Sequence, residues 1–358
     1  MPGFTLDQKR LSLVAIYGED GDAEGDVEEE LWRLFSQSAS PSVPESFRTH
    51  PHHRLPSIDF EWIFSWGAAP VRKEVLIHQD PGTHFGGEAR TGSVCWRSGM
   101  VLANMISGAW GRELFSNVTH LNTKPLRLLE LGTGSGLLAV SLLLTLKRGL
   151  PFLFPSPASP PPIVHVTLTD ADERALAIAR RNVNDILGTD VIELDFDDLD
   201  EHLSNTAGAN TTKPSKCKTS SILTNPRLFV SYLHLDWTIP PTYPTLSTTK
   251  SHPSLVFATD VAYNELLVPY FVNAARNVMG HGTDSPESIG APQSVLVLAQ
   301  ELRAAETHRT LLTHLLESET GQRSIHLWRV DDASAKGGET ESSTTVNNSG
   351  VVVYVAHG

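Results

Sequence analysis

The chain of 358 residues carries 28 Lys+Arg against 41 Asp+Glu, a formal charge of -13, and its 40% hydrophobic content supports a sizeable core, which excludes global disorder. The acidic balance argues against the basic footprint of a nucleic-acid binder, and two cysteines in different contexts, Cys95 and Cys217, exclude a disulfide framework or a cysteine-rich zinc site. No apolar run reaches the length of a membrane span, and Lys9-Arg10 leads into a short mixed stretch and then acids, not a secretory leader. A soluble monomer of the cytoplasm is expected, with the nucleus as a second compartment.

Residues 19–30 hold eight acids and no base, then Leu-Trp-Arg-Leu-Phe and a Ser/Pro stretch follow, so 1–57 is expected to be an acidic extension ahead of one folded domain, 58–358. Ile58 to Trp66 and Lys73 to Gln79 are β-rich runs around Gly67-Ala68-Ala69-Pro70, an N-terminal hairpin or β-addition. Trp96 to Trp110 has helical spacing, with Gly111 as its stop. Leu126 onward reads strand, G-T-G-S-G turn, and an apolar helix closed by Gly149. Ile163 to Thr169 is a strand ending at Asp170, and Ala171 to Leu187 is an amphipathic helix, which completes a βαβ unit. Further strands are expected at Arg227 to Leu235, Ser254 to Thr259 and Ser294 to Gln300, with helices at Asn264 to Met279 and Ala304 to Glu317. Ser324 to Val330 and Val351 to Ala356 form an antiparallel pair. Stretches near 151–162, 204–221, 238–253, 281–293 and 331–350 are too polar or proline-rich for a core and are taken as surface insertions. Without them the chain alternates β and α as a doubly wound sheet.

Strand-Glu130-Leu-Gly132-Thr133-Gly134-Ser-Gly136-helix sets three glycines where a backbone meets a ligand at a helix start. Its spacing is G-x-G-x-G with an acid two residues ahead, unlike the G-x-G-x-x-G of dinucleotide sites or the lysine-bearing P-loop. A phosphate ligand is disfavoured, and a ribose or carboxylate with an adenosine body suits the turn better. Asp170 ends the next strand, where such folds grip ribose hydroxyls. It lies 34 residues after Gly136, or 22 once the 12 residues of 151–162 are set aside, near the usual spacing of about 20. The plainer alternatives are a tight packing turn and a helix cap at Asp170.

These residues resemble motif I and the second acidic motif of seven-β-strand, S-adenosylmethionine-dependent methyltransferases. T-G-S-V-C-W-R-S-G (91–99), L-D-W (235–237) and A-T-D-V-A-Y (258–263) narrow the resemblance to the family-16 group, the non-SET protein-lysine methyltransferases that modify translation factors and chaperones. The likeness runs from about Thr91 to Arg303, with Ser324 to Ala356 fitting the last two strands. It implies a Rossmann-like, seven-stranded sheet, S-adenosyl-L-methionine as cofactor, and a protein substrate presenting a lysine. It also implies that Trp96 packs near the methionine end of the cofactor, Gly132, Thr133 and Gly134 lie under it, Asp170 holds the ribose, Trp237 flanks the adenine and Thr259 lines the pocket. Glu130, Gly136 and Asp236 belong to the same set.

Methyl transfer to lysine needs a deprotonated, oriented amine more than covalent help. Asp260 is expected to orient that amine and Tyr263 to wall its channel; the alternative is Asp260 as cap of the following helix with Tyr263 packed on it. No metal site is expected: His50, His52 and His53 sit in a proline-rich loop. There is no G-x-S-x-G, and P-P-T-Y (240–243) lacks the leading polar residue of amino-nucleobase methyltransferases. A methyltransferase for RNA or a metabolite and a non-catalytic scaffold remain the competing readings; membranes are excluded as partners and nucleic acid is not expected. Fifteen acids lie in two base-free runs, 19–30 and 190–201, leaving 28 bases against 26 acids elsewhere. The runs either attract a lysine-rich surface or merely aid solubility.

Overall fold

Apolar runs with little polar alternation build the centre of the sheet, and such strands must be covered on both faces. The computed structural model describes residues 6–16, 23–38, 54–81, 92–119, 125–154, 163–194, 227–239, 253–280, 294–317, 325–331 and 350–357. Its strands are β1 (Leu13–Ala15), β2 (Ser57–Phe64), β3 (Val71–His78), β4 (Leu126–Leu131), β5 (Ile163–Asp170), β6 (Val191–Glu193), β7 (Arg227–His234), β8 (Leu255–Thr259), β9 (Val295–Glu301), β10 (His326–Val330) and β11 (Val351–His357). The helices are α1 (Ala23–Ser38), α2 (Arg97–Ser107), α3 (Ala109–Thr119), α4 (Leu137–Leu153), α5 (Glu173–Leu187), α6 (Val268–Val278) and α7 (Ala305–Leu316). The sheet order is β1-β10-β11-β9-β8-β4-β5-β7-β6. Strands β6 to β9 with β4 and β5 are parallel; β11 runs antiparallel between β9 and β10. The Rossmann-like, doubly wound α/β class is therefore observed, and two three-residue edge strands, β1 and β6, extend the expected seven to nine.

Strand residues alternate between two cores. Leu128, Val166, Phe257, Val297 and Val353 pack with α2, α3, α4 and the β2–β3 hairpin on one face. Leu129, Val256, Leu298, Val352 and Tyr354 pack with α1, α6 and α7 on the other. The hairpin covers its face with Phe60, Trp62, Phe64 and Trp66, which are all buried. Trp62 Nε1 donates to Thr145 Oγ1 on α4 at 3.2 Å, and Trp66 Nε1 to the carbonyl of Ile106 on α2 at 3.1 Å, so both buried indoles are satisfied.

Three sequence expectations need correction. Residues 1–57 are not wholly an extension outside the folded domain: β1 pairs antiparallel with β10, and α1 packs on α7 with Val27 and Leu31 buried. The acidic run also supplies structure, because Glu30 forms a buried ion pair with Arg329 while Glu28 pairs with Arg309 on α7 at 2.6 Å. Trp96 to Trp110 is not one helix stopped by Gly111. The chain breaks at Gly108, which has extended backbone, and Gly111 lies inside α3, where an added Cβ would sit 1.8 Å from the carbonyl oxygen of Ile106.

The third correction is at Gly149, which does not end its helix; α4 continues through Pro151 to Leu153, shortening the expected 151–162 insertion. Its glycine makes room, since a Cβ there would lie 2.3 Å from the Trp66 ring. Gly149→Ala should therefore lose about 1–3 kcal/mol through overpacking, despite alanine's better helix propensity. A urea titration checks this by a lowered midpoint at unchanged slope, and an unchanged midpoint would show that Trp66 yields freely. The expected insertions at 204–221 and 281–293, most of those at 151–162, 238–253 and 331–350, and the 50–53 histidines, Thr91, P-P-T-Y and Cys217 lie outside the described residues.

Candidate active site

In an open, mostly parallel sheet, ligands bind beyond the carboxyl ends of the strands where the strand order reverses. Here β4 leads through α4 to β5 on one side, whereas β8 pairs on its other side, so that reversal lies between β4 and β8. A cavity of about 400 Å³ opens there. It is walled by the glycine turn after β4, the ends of β5 and β8, the 92–99 segment entering α2, and the 236–238 turn after β7. Trp96, Glu130, Gly132, Thr133, Gly134, Asp170, Asp236, Trp237, Thr259, Asp260 and Tyr263 all line it, so residues spread over 168 positions of sequence converge on one space.

Gly136 is the exception among the predicted residues. It caps α4 with φ +78, and a Cβ would meet Ala179 of α5 at 2.8 Å, so its role is to let two helices touch. The turn's amides also serve differently from the sequence reading. Thr133 N–H donates to the carbonyl of Thr169 at 2.8 Å, Gly134 N–H to Asp170 Oδ2 at 2.9 Å, and Gly136 N–H to the carbonyl of Thr133 at 2.9 Å. The space freed at Gly134, with φ +56, is used by the carbonyl of Gly92, 2.5 Å from where a Cβ would sit. The glycines thus draw the 92–99 segment and β5 onto the turn, and Gly132 and Gly134 line the cavity with their backbone beside the side chains of Glu130, Thr133 and Asp170.

Asp170 is buried and accepts from Gly134 and, through Oδ1, from Asp172 N–H at 2.9 Å. Asp172, not Asp170, is the N-cap of α5. Burial pushes the Asp170 carboxyl up while those amide bonds pull it down. Glu130 lies under the turn at 1% exposure; burial lifts it to about 8, against the hydrogen bond from Thr133 Oγ1 at 2.8 Å, and nearby Asp170 lifts it further. Trp237 packs edge-on to Phe271 of α6 with ring centroids 5.3 Å apart, beside Gly132. Asp236 accepts from Thr238 N–H and Oγ1 at 2.9 and 2.7 Å, which shapes the turn presenting Trp237.

Asp260 follows β8 with φ +53, a left-handed conformation that aspartate tolerates better than most residues. It is not the helix cap: Asn264 accepts from Leu266 N–H and caps the turn before α6. Its carboxylate accepts from Gln300 Nε2 at 3.0 Å and is ion-paired with Arg303, whose guanidinium lies 4.3 Å over the Trp96 ring. Burial raises Asp260 to about 6, Arg303 lowers it, and Glu301 raises it. Tyr263 is 42% exposed at the cavity mouth.

Sequence reasoning missed Gln300 and Arg303, which hold Asp260 from the neighbouring strand end, and Ser135, whose Oγ meets Cys95 Sγ at 3.1 Å. It also missed Asn182, which accepts from His78 N–H and donates to the carbonyls of His78 and Ser135, tying hairpin to turn. The E-L-R run at 301–303 was visible, but only the β8–β9 pairing brings it to Asp260. Cys95 is buried with its thiol pushed up to about 12, which makes it a packing residue.

The lining carries five carboxylates, Glu130, Asp170, Asp172, Asp236 and Asp260, two tryptophans, and no lysine, arginine or histidine among the described residues. With Glu130 mostly protonated at neutral pH, the remaining carboxylates still repel phosphate and suit a ligand that is cationic, aromatic and rich in hydroxyls. The described residues contain no group of His, Cys, Asp and Glu that can hold a metal ion, and no helix long and apolar enough to cross a membrane.

No family model and no curated protein matches the sequence. Among solved structures, the chain is similar to a SAM-dependent methyltransferase from Agrobacterium tumefaciens at 11% identity and TM-score 0.34, over 84% of this chain and 70% of that one. It is similar to the DszA carbon methyltransferase at 12% and 0.32, over 71% of this chain and 52% of that one. A third likeness is to the METTL16 MTase domain at 8% and 0.32, over 90% and 94%.

Proposed function

We propose that this chain is an S-adenosylmethionine-dependent methyltransferase acting on a lysine side chain of a protein. The observation that carries the cofactor assignment is the cavity lining: five acidic side chains and two tryptophans, with no lysine, arginine or histidine among the described residues that line it, at the strand-order reversal of a doubly wound sheet. Its volume of about 400 Å³ is within the range of small-molecule sites, about 300–1,000 Å³. Asp170, which accepts from the amides of Gly134, Ala171 and Asp172, keeps one acceptor position for a ribose hydroxyl, Trp237 offers a face to the adenine, and Trp96 packs near the methionine end. Bound there, S-adenosylmethionine would supply an electrophilic methyl group: the amine lone pair attacks the methyl carbon, the S–C bond breaks, and S-adenosylhomocysteine leaves as a neutral thioether while the methylated amine gives up a proton.

The chain's own residues then hold the amine. Asp260 accepts a hydrogen bond from it, and Tyr263 narrows the mouth so that water is excluded from the acceptor channel. A protein substrate is favoured by the rim. Tyr263, which lines the cavity, and Leu266 and Tyr270, which follow it by three and seven residues, are 42%, 79% and 44% exposed, and no lysine or arginine occurs from 260 to 275 to meet a phosphate backbone.

Incubating the protein with methyl-labelled S-adenosylmethionine and cell extract tests both levels. Label that resists nuclease, is released by protease and is recovered on lysine is the expected result. Label on RNA, a metabolite or another side chain overturns the lysine assignment, and no transfer to any acceptor overturns the enzyme.

A further inference from the structure

We infer that Arg303 is a positioning residue that keeps Asp260 as a charge-compensated hydrogen-bond acceptor, so that the site aligns a lysine amine without stabilising its protonated, unreactive form. The inference deepens the lysine-methyltransferase reading and rests on it.

A bare carboxylate beside the acceptor channel would work against the reaction. Opposite charge within a few ångströms favours the ammonium form, and an ammonium has no lone pair for methyl transfer. Asp260 is not bare. Arg303 pairs with one carboxylate oxygen, Gln300 Nε2 donates to the other at 3.0 Å, and the Glu301 backbone N–H donates as well, so the group is fixed in direction and compensated in charge while one acceptor position remains.

Arg303 is itself held on two further sides. Its guanidinium lies over Trp96 at 4.3 Å and donates to Glu301 at 2.9 Å, so it cannot swing freely into the channel. Gln300 is oriented in turn, because its Oε1 accepts from Ala262 N–H at 3.0 Å. The charges facing Asp260 are Arg303 and Glu301 at the end of β9, with Arg97 of α2 acting on Glu301; Glu130, Asp170 and Asp236 face it across the cavity. Removing Arg303 would leave the acids there with less compensation, which raises the bound amine's affinity for its proton.

The test compares wild type, Arg303→Gln and Arg303→Lys, each checked for folding by thermal unfolding. In Arg303→Gln, the pH at which kcat rises on a lysine peptide should move up by about one unit. Arg303→Lys, which restores the charge, should return it towards wild type. Carboxyl-carbon NMR of aspartate-labelled protein, with Asp260 assigned from Asp260→Asn, reads the pairing without turnover; its titration should also move up in Arg303→Gln. A folded Arg303→Gln whose Asp260 titration stays in place overturns the inference, as does an unshifted kcat profile with only a lowered plateau. If the wild type transfers no methyl to lysine, the reading beneath the inference fails, while the NMR titration still decides whether Arg303 governs Asp260.

Discussion

Asp170→Ala is expected to weaken S-adenosylmethionine binding by roughly 100-fold or more, about 2.7 kcal/mol, in a calorimetric titration. Two losses combine. The carboxylate disappears from the place where ribose hydroxyls would be accepted, and the amides of Gly134 and Asp172, which it receives at 2.9 Å each, lose their acceptor. A buried amide left without a partner costs about 1–3 kcal/mol, so the glycine turn and the start of α5 should loosen together. Asp170→Asn separates the effects, because its one carbonyl oxygen still serves an amide but a second acceptor is gone. Its affinity should fall between the two. Binding by Asp170→Ala within threefold of wild type would remove Asp170 from the cofactor site and leave it a purely structural anchor of the turn.

What was legible in the sequence follows from range. Strands β4, β5, β8 and β9 are apolar runs buried on both faces, and helices or longer polar stretches separate them, so local pattern sufficed. The motif around Gly132 and Asp170 was readable because both ends belong to one βαβ unit. Features made by distant pairing were not. Nothing local distinguishes Glu30 in an acidic run from a solvated acid; only the docking of α1 places it against Arg329, 299 residues away. Gly149 and Gly111 looked like helix stops, yet both are glycine because another group occupies their Cβ space. At Asp260 the reading found the residue but not its partners, since Gln300 and Arg303 reach it only through the β8–β9 register.

Those partners shape the largest catalytic effect expected. Asp260→Asn should lower turnover on a lysine substrate by roughly 100-fold, the scale of a lost proton-handling or orienting group, while cofactor affinity stays within about threefold. Asparagine tolerates the left-handed backbone at this position, so the substitution spares the turn that alanine would strain. The pH profile supplies a second signature. Asp260 accepts the amine only as a carboxylate, and burial, partly offset by Arg303, sets its ionisation at about 6. The accepting form is therefore complete well above pH 6 and is lost as pH falls through it. Lysine itself ionises near 10.4 when unperturbed, so log kcat should fall with slope one below the amine's own pKa in the complex. It should steepen to slope two below about 6 in the wild type. Asp260→Asn has no carboxylate to protonate and should keep slope one throughout. A variant that retains the steepening, or whose loss appears wholly in cofactor affinity, would move Asp260 from the amine to the pocket wall and assign the acid limb to Asp170, another buried carboxylate of the cavity.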